Sequence, residues 1–410
     1  MYKNICIPLD NSRYSTSAAE AGIRIAKGFN STITCTHVYA AKLHDDRFRQ
    51  METGLPPKYQ DEKELQRQRD VHDDLIAKGL MVISDSYLDA VENMCADAGI
   101  PYRKKAMEGK NYVEIVNDVQ SGDYDLIIMG ALGLGEVDNS TIGSVCERVM
   151  RRIKTDMLII RDGQMDFGRY TVAIDGSPNS FAGLLSAVAL SKITGAGVEA
   201  VAAFDPHYHY VAFKSIAEVL SEEAGKIFKF KEQEKLHEEI IDKGLAKIYQ
   251  DHLDRAGEMA RKEGAAIKTT LLEGKPYDQI LKHVDKYRPA LLVLGRVGVH
   301  AAPGLDIGSN TENCARSASC NVLIASREAA PPPKEEQPKV GIPWTPEAEE
   351  LLNRIPPMAR GMVRKMVEDS AAKRGHTEIT ADYIRKAQKM VHEKRDALGG
   401  IVVPIYGPKG

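Results

Sequence analysis

Short apolar runs alternate with amphipathic stretches over the first 160 residues of the chain. Five apolar runs predict buried strands: Ile5–Leu9, Thr32–Tyr39, Tyr102–Met107, Leu126–Met129 and Asp156–Ile160. Helical spacing of apolar residues predicts the helices between them, at 15–28, 61–98, 112–119 and from residue 144. A long polar segment precedes the long second helix. Strands separated by helices in this way predict parallel pairing through right-handed crossovers, which is a doubly wound α/β sheet.

The chain repeats itself at a constant offset of 165 residues. Asp10 corresponds to Asp175, and EGKNYVEI at 108–115 corresponds to EGKPYDQI at 273–280. An internal repeat of this length predicts two copies of one domain. The fold class expected from the sequence is therefore α/β, with two doubly wound parallel-sheet domains and a small all-α C-terminal module.

The domain boundaries are predicted from changes in composition along the chain. Five segments result: repeats at 1–162 and 168–327, a linker at 328–341, a helical module at 342–395 and a tail at 396–410. The linker is rich in proline and charge, which is typical of an extended spacer. Within the module, Thr345 and Thr380 are predicted to begin helices as N-caps.

Both repeats contain the spacing G-x2-G-x9-G-S directly after their fourth predicted strand. The residues are Gly130, Gly133, Gly143 and Ser144 in the first repeat, and Gly295, Gly298, Gly308 and Ser309 in the second. Ligands bind doubly wound sheets at the carboxyl ends of the strands. There, glycines allow positive φ and close approach of the backbone, and the N-terminus of the next helix attracts an anion. The loop predicts a phosphate site, and glycines that merely turn the chain are the alternative.

Asp10 and Asp175 end the first strand of their repeats and are expected across the same crevice. A carboxylate in that position accepts hydrogen bonds from an adenine or ribose edge. The P-loop spacing G-x-x-x-x-G-K-[ST] does not occur, so the pattern favours binding over rapid hydrolysis. We assign no catalytic residues from the sequence.

These residues resemble the universal stress proteins of the tandem two-domain type, over residues 1 to about 326. The resemblance rests on the aspartate in PLDNS and AIDGS and on the intact glycine motif in both halves. It implies an adenine nucleotide alpha hydrolase-like fold that binds ATP or AMP, with the motif residues on ribose and phosphates and the two aspartates on adenosine. Val38 and Met129 complete the candidate nucleotide-binding set.

The resemblance also implies a stress-response regulator that changes shape or partners with bound nucleotide. Its two repeats are expected to pair within the chain through their last strands, and a homodimer of chains stays open. Two alternatives are a slow ATPase, in which His300 orients water, and a scaffold that has lost its nucleotide.

Histidines recur at the repeat offset and raise the question of a divalent metal such as zinc. The candidate ligands are His44, His72, His207, His209 and His237, with carboxylates beside several of them. The alternative is a solvated helix face and a polar loop whose repetition reflects shared ancestry.

The C-terminal module resembles the small helical domain at the C-terminus of one component of light-independent protochlorophyllide reductase. The matching residues are Trp344-Thr345-Pro346, Ile355-Pro356, Arg360, Arg364, Glu368, Ala371, Gly375 and Ile379-Thr380. Nothing in the first 326 residues resembles the body of that enzyme, so its reductase activity is not implied. Arg364 and Glu368 lie one turn apart and predict a surface ion pair, with a ligand site as the alternative. We expect the module to dock onto a protein partner.

Composition narrows the remaining function classes. The chain is 43% hydrophobic and 28% charged with a formal net charge of −3, so no nucleic-acid partner is expected. No apolar run approaches the roughly 20 residues of a membrane span, and no basic segment followed by an apolar one opens the chain. We expect a cytoplasmic protein without membrane contact. The six cysteines form no C-x-x-C pair and predict buried free thiols.

Overall fold

The protein is described by a computed structural model. It describes residues 1–161, 168–206, 242–302, 304–331, 342–353, 360, 363–364, 366–368, 370–371 and 374–386. The chain divides into two compact units, Met1–Pro332 and Pro333–Gly410.

The first repeat alternates strands and helices in the order predicted. Its elements are β1 (Asn4–Pro8), α1 (Arg13–Phe29), β2 (Thr32–Tyr39), α2 (Ala41–Met51), two short 3-10 helices (Glu52–Gly54 and Pro57–Tyr59), α3 (Glu62–Ala98), β3 (Tyr102–Glu108), α4 (Asn111–Ser121), β4 (Leu126–Gly130), α5 (Ser144–Arg152) and β5 (Asp156–Ile160). Helix α1 begins because Ser12 accepts a hydrogen bond from the backbone N–H of Ser15 at 3.2 Å. Helix α3 begins in the same way at Asp61 and ends at Gly99, which has a φ of 68°.

The second repeat follows the same order. Its described elements are β6 (Arg169–Ala173), α6 (Pro178–Thr194), β7 (Gly197–Phe204), α7 (Asp242–Lys262), β8 (Lys268–Glu273), α8 (Pro276–Tyr287), β9 (Leu291–Gly295), α9 (Ser309–Ser317) and β10 (Asn321–Ala325). Ser177 caps α6 as Ser12 caps α1. The two repeats therefore build their first helices from the same local signal.

Among the described residues, ten strands form one sheet in the order β3-β2-β1-β4-β5-β10-β9-β6-β7-β8. Pairing is parallel within each repeat and antiparallel between β5 and β10, where Leu158 lies opposite Leu323. The prediction that the repeats pair through their last strands is confirmed. The two predicted parallel sheets thus become a single sheet with an antiparallel seam.

The core lies on both faces of this sheet and includes residues of both repeats on each face. One layer contains Ile25 of α1 with Phe181 of α6. The other layer contains Met150 of α5 with Cys314 of α9. All six cysteines are buried and unpaired, as expected from their positions within apolar runs.

Arginines from both repeats hold the seam together. Arg161 donates to the carbonyl oxygen of Ala315, and Arg296 donates to the carbonyl oxygen of Met150 at 2.8 Å. Ala315 and Met150 occupy equivalent positions near the ends of α9 and α5. A guanidinium is favourable there because carbonyl groups at a helix C-terminus carry partial negative charge.

Helix α2 lies in the segment that the sequence marks only as polar. None of its residues is buried, so the apolar periodicity of a core-facing helix is missing. Helix α2 packs on α3 instead, where the Phe48 ring stacks on the His72 ring with a centroid distance of 4.2 Å. No helix in the described ranges is long and apolar enough to cross a membrane.

The C-terminal unit has a small core of its own. Helix α10 (Pro346–Asn353) begins as predicted, because the Thr345 hydroxyl accepts a hydrogen bond from the N–H of Ala348 at 3.3 Å. The Thr380 hydroxyl accepts one from the N–H of Tyr383 at 3.3 Å. Buried apolar residues from three segments form this core: Ala348, Leu352, Val367, Ala371, Ile379, Tyr383 and Ile384.

The predicted Arg364–Glu368 pair forms, with 3.8 Å between Arg364 Nη1 and Glu368 Oε1. Glu368 also accepts a hydrogen bond from Trp344 Nε1 at 3.0 Å, and the Arg364 guanidinium lies over the Trp344 ring at 4.9 Å. Three of the residues that carry the resemblance therefore hold the module's first strand-like segment to its central helix.

Candidate binding site

The crevice lies where the strand order reverses. In the first repeat the chain leaves β1 towards β2 and β3, then returns to β4 on the opposite side of β1. In the second repeat β6 and β9 are related in the same way. Loops that follow such strands diverge to opposite faces of the sheet, which opens a crevice at their carboxyl ends. Asp10 and Gly130 lie at this edge in the first repeat, and Asp175 and Gly295 in the second.

The two strand-end aspartates tie the crevice loops together. One Asp10 oxygen accepts from the N–H of Ser12 at 3.0 Å, and the other accepts from the N–H of Leu134 at 3.3 Å. Asp175 accepts from the N–H of Ser177 at 3.0 Å and of Val299 at 3.1 Å. Each carboxylate therefore fixes the start of the glycine loop against the first strand, a role that the sequence prediction did not include.

The second motif glycine is required by this contact. A Cβ at Gly133 would lie 2.5 Å from Asp10 Oδ2, and one at Gly298 would lie 2.7 Å from Asp175 Oδ2. Both distances are too short for any larger residue unless the aspartate moves. The repeated spacing between aspartate and glycine thus has a physical cause within the protein.

The first motif glycine lets the first helix approach the fourth strand. A Cβ at Gly130 would lie 2.6 Å from Tyr14 Cβ, and one at Gly295 would lie 2.8 Å from the backbone nitrogen of Ser180. The expectation that motif glycines supply positive φ is wrong, because none of the six has a positive φ. Close packing explains these positions, and the absence of a side chain is what matters.

The third motif glycine precedes a helix that begins without a side-chain cap. Within the described residues, Gly143 and Gly308 are N-caps of α5 and α9 with φ of −80° and −71°, and no side chain bonds to either helix start. Ser144 and Ser309, the first residues of these helices, are exposed. Because the first N–H groups of a helix have no intrahelical partner, both helices present free donors and a positive dipole end to the crevice.

A cavity of about 270 Å³ lies over this edge of the second repeat. Its polar end contains Asp175, Gly298, Gly308 and Ser309. Its apolar part is formed by the ends of β6, β7 and β9 and by residues of α7 and α8: Ala173, Ile174, Val201, Ala203, Tyr249, Pro276, Ile280 and Leu294. His300, Ala301, Ala302 and Leu305 of the glycine loop also line it. The predicted residues of the second repeat are thus brought together around one cavity.

Val38 and Met129 lie at the ends of β2 and β4, and both pack in the second core layer. Met129 is only 6% exposed, so packing accounts for most of its surface. Their counterparts at the repeat offset, Ala203 and Leu294, line the cavity of the second repeat. Their assignment as nucleotide contacts therefore stays a prediction.

The repeat comparison missed an imidazole beside each strand-end aspartate. In the first repeat His37 of β2 packs edge-on against Tyr87 of α3, with centroids 5.2 Å apart. In the second repeat His252 of α7 packs edge-on against Tyr249, with centroids 5.7 Å apart. The two histidines are not at equivalent positions, so an offset search cannot find them.

Both imidazoles are shifted towards the neutral form. Burial lowers the pKa of His37, and the charge of Asp10 opposes this in part. Burial also lowers the pKa of His252, against the effect of Asp175. Burial and the nearby Asp175 raise the pKa of Tyr249, which keeps its hydroxyl protonated.

The histidines proposed as metal ligands do not form a cluster in the described part of the chain. His44 is exposed on α2, and the His72 ring is stacked on Phe48. His207, His209 and His237 lie outside the described residues. Within the described ranges, no group of three or more His, Cys, Asp or Glu side chains is placed to hold a metal ion.

Comparison with known proteins adds the following. The universal stress protein family matches residues 1–161 and 167–326, and the proto-chlorophyllide reductase 57 kD subunit family matches residues 344–388. A universal stress protein of Methanocaldococcus jannaschii is 28% identical over 161 residues, which is 39% of this chain and 83% of that protein.

A solved universal stress protein from Archaeoglobus fulgidus shares the fold. Its TM-score is 0.50 at 17% identity, covering 78% of this chain and 97% of that one. One polypeptide of light-independent protochlorophyllide reductase from a Roseiflexus species is 33% identical over 101 residues, or 25% of this chain. The match spans only 16% of that polypeptide, so the likeness concerns a small part of the enzyme.

Proposed function

Because the chain belongs to the universal stress protein family through both of its repeats, we propose that it binds an adenine nucleotide, ATP or AMP, in the crevice of each repeat. The observation that carries the proposal is the cavity of about 270 Å³ in the second repeat, which joins an apolar part to the start of α9. A nucleotide has the same division, with an apolar base at one end and phosphates at the other.

The phosphates would lie against the third glycine and the serine that follows it. The uncapped start of α9 at Ser309 supplies backbone N–H groups, and the helix dipole favours negative charge there. The Ser309 hydroxyl adds a donor. In the first repeat Gly143 and Ser144 of α5 would do the same. A divalent metal would reach this site bound to the nucleotide phosphates, a role separate from the histidines.

The ribose and base would lie towards Asp175 and the ends of β6 and β7. Asp175 holds the glycine loop through the N–H of Val299, so a ligand hydroxyl that competes for this carboxylate would move the loop. Nucleotide binding would in this way change the shape of the loop that follows β9. We propose that a protein partner, docked through the C-terminal module, responds to this change in a cytoplasmic stress response.

Calorimetric titration of the full chain with AMP and with ATP tests the proposal. We expect saturable binding and a melting temperature that rises with nucleotide concentration, because a ligand that binds only the folded state stabilises it. Gly298→Val should abolish binding to the second repeat, since its side chain displaces Asp175. Gly135→Val is the matched control, because a Cβ at this loop glycine meets nothing within 4 Å. Absence of heat and of a thermal shift at millimolar nucleotide would overturn the proposal.

A slow ATPase is the second candidate, because His300 lines the same cavity as the phosphate-binding loop. An imidazole there could orient water towards a terminal phosphate. Phosphate release above background that disappears in His300→Ala, with nucleotide affinity retained, would favour the enzyme. Equal rates in both proteins would leave binding as the function.

A further inference from the structure

The two repeats share their glycine motif but differ at the apolar end of the crevice. At the repeat offset, Tyr249 of α7 replaces Ser84 of α3, and Ala203 of β7 replaces Val38 of β2. The phosphate ends are alike, so this difference concerns the part of the ligand farthest from the phosphates. The following assignment of a selectivity-determining residue rests on the proposed function.

Tyr249 forms an ordered aromatic wall in the second repeat. It is the one residue with a benzene-type ring among the described residues that line the cavity. Its ring packs edge-on against His252 at 5.7 Å and at a tilt against Phe204 at 6.3 Å. Two aromatic neighbours restrict the side-chain torsions, so the ring is already oriented before a ligand enters.

The support behind Tyr249 depends on a glycine next to the strand-end aspartate. A Cβ at Gly176 would lie 2.5 Å from the His252 ring, and Gly176 has a φ of 88°. In the first repeat the same position is Asn11, with a φ of 62°. The backbone conformation is therefore shared, and only the second repeat has room for an imidazole at this point.

The first repeat uses the equivalent position differently. Ser84 is fully buried and donates its hydroxyl to the carbonyl oxygen of Leu80 at 2.8 Å. The same hydroxyl oxygen then accepts a hydrogen bond from His37 Nδ1 at 2.8 Å. This serine presents no flat surface to the crevice and its hydrogen-bonding groups already have partners. The first repeat thus lacks an aromatic wall at this position.

We propose that Tyr249 stacks on the base of the bound nucleotide and makes the second repeat the base-selective site of the chain. The small Ala203 side chain leaves space at the end of β7 for the flat base to lie against the tyrosine ring. The first repeat would hold a ribose phosphate through its loop and discriminate weakly between ligands with and without a base. Stacking of a nucleobase on an aromatic ring contributes about 1–3 kcal/mol.

The test compares AMP with ribose 5-phosphate, which lacks the base. Titrations use full chains in which one repeat is disabled, Gly133→Val for measuring the second repeat and Gly298→Val for measuring the first. We expect the preference for AMP over ribose 5-phosphate to be about tenfold larger in the second repeat. Adding Tyr249→Ser should reduce this preference about tenfold and leave ribose 5-phosphate affinity unchanged, whereas Tyr249→Phe should retain it.

Two further variants separate stacking from a structural effect. Tyr249→Leu keeps apolar bulk in the core if the serine variant does not fold, and it should also lose the preference for AMP. Tyr87→Ser removes the corresponding aromatic of the first repeat and should leave second-repeat binding as in the parent. Thermal unfolding of each variant checks the fold.

Unchanged AMP affinity in Tyr249→Ser and Tyr249→Leu would overturn the assignment while leaving the proposed function intact. An equal loss for AMP and ribose 5-phosphate would also overturn it, because the tyrosine would then act through the shape of the site. A parent chain that binds neither ligand would overturn the proposed function, and this inference with it.

Discussion

The first and second repeats have the same backbone plan but different side chains around it. Both join a strand-end aspartate to a glycine loop through one backbone N–H, from Leu134 to Asp10 and from Val299 to Asp175. Around this frame the first repeat has a histidine–serine pair, and the second has a tyrosine–histidine pair. The comparison shows that the loop geometry is fixed by packing, whereas the far end of the crevice is free to vary.

The seam between the repeats shows the same separation of geometry from sequence position. Equivalent carbonyl groups at Met150 and Ala315 each receive a guanidinium from the opposite repeat. The donors are Arg296, which follows β9, and Arg161, which follows β5, so they are not equivalent in sequence. The requirement is a buried cation at each helix end, and two different positions in the repeat meet it.

The largest expected effect on stability is that of Arg296→Met. Arg296 is 5% exposed and donates to Ser326 Oγ at 2.6 Å and to the Met150 carbonyl at 2.8 Å. Burial lowers its pKa to about 10. Loss of the guanidinium leaves the Met150 carbonyl without this partner across the seam, and we expect about 3 kcal/mol of destabilisation. Urea unfolding measures it. Arg261→Met, on the exposed surface of α7, is the control, and equal midpoints for the two variants would contradict this role.

Asp156→Asn should have the next largest effect and again distinguishes the repeats, because the equivalent residue is Asn321. Asp156 is 1% exposed and accepts from the Tyr2 hydroxyl and from Arg327 Nε, both at 2.9 Å. Its other oxygen accepts from the N–H of Ser326 at 2.8 Å. An amide turns one of these contacts into a meeting of two donors, at a cost of about 2 kcal/mol.

Urea unfolding of Asp156→Asn against the exposed Asp123→Asn measures this cost. A stability as high as that of the control variant would mean that the charge of Asp156 is not needed at the seam.

The two buried imidazoles predict a pH dependence of moderate size. Burial lowers the folded-state pKa of His37 and of His252, so the unfolded chain, with a pKa near about 6.5, takes up protons first as the pH falls. Their contribution to stability is thus complete above about pH 6.5 and is lost as the pH drops towards the folded-state values. We expect the fall in melting temperature between about pH 7.5 and about pH 5.5 to be smaller in the double variant His37→Gln/His252→Gln. Parallel curves for the two proteins would refute the assignment.

The smallest expected effect is that of Arg13→Ala. Arg13 lies 3.3 Å from Glu136 across the first-repeat crevice, at 73% and 44% side-chain exposure. The second repeat has Pro178 and Ala301 at these positions. Solvent screens such exposed pairs, so the melting temperature should not change measurably. A clear loss of stability would mean that this bridge helps to fold the first-repeat loop.

The sequence predicts the sheet well because its strands are buried on both faces. The predicted bounds of β2 and β5 coincide with the observed Thr32–Tyr39 and Asp156–Ile160. Helix α2 was missed because it has no buried face. The motif glycines were located correctly for a partly wrong reason, since crowding by Asp10 and Tyr14 is a tertiary contact that a single sequence does not display.

Tyr249 and His252 were missed for a related reason. A tyrosine and a histidine three residues apart on an amphipathic helix are typical of ordinary core packing. Their place at the crevice depends on where α7 lies relative to β6 and β7, and Gly176 is the local signal that an imidazole packs there. The glycine is visible in the sequence, but its neighbour is visible only in the fold.

The most direct test of the central claim is a crystal structure of the full chain with AMP. The account predicts electron density for the nucleotide in the second repeat, with phosphate oxygens at the backbone N–H groups that open α9 at Ser309 and the base flat against the Tyr249 ring. A map in which this crevice holds no nucleotide, or in which the phosphates point away from α9, would contradict it.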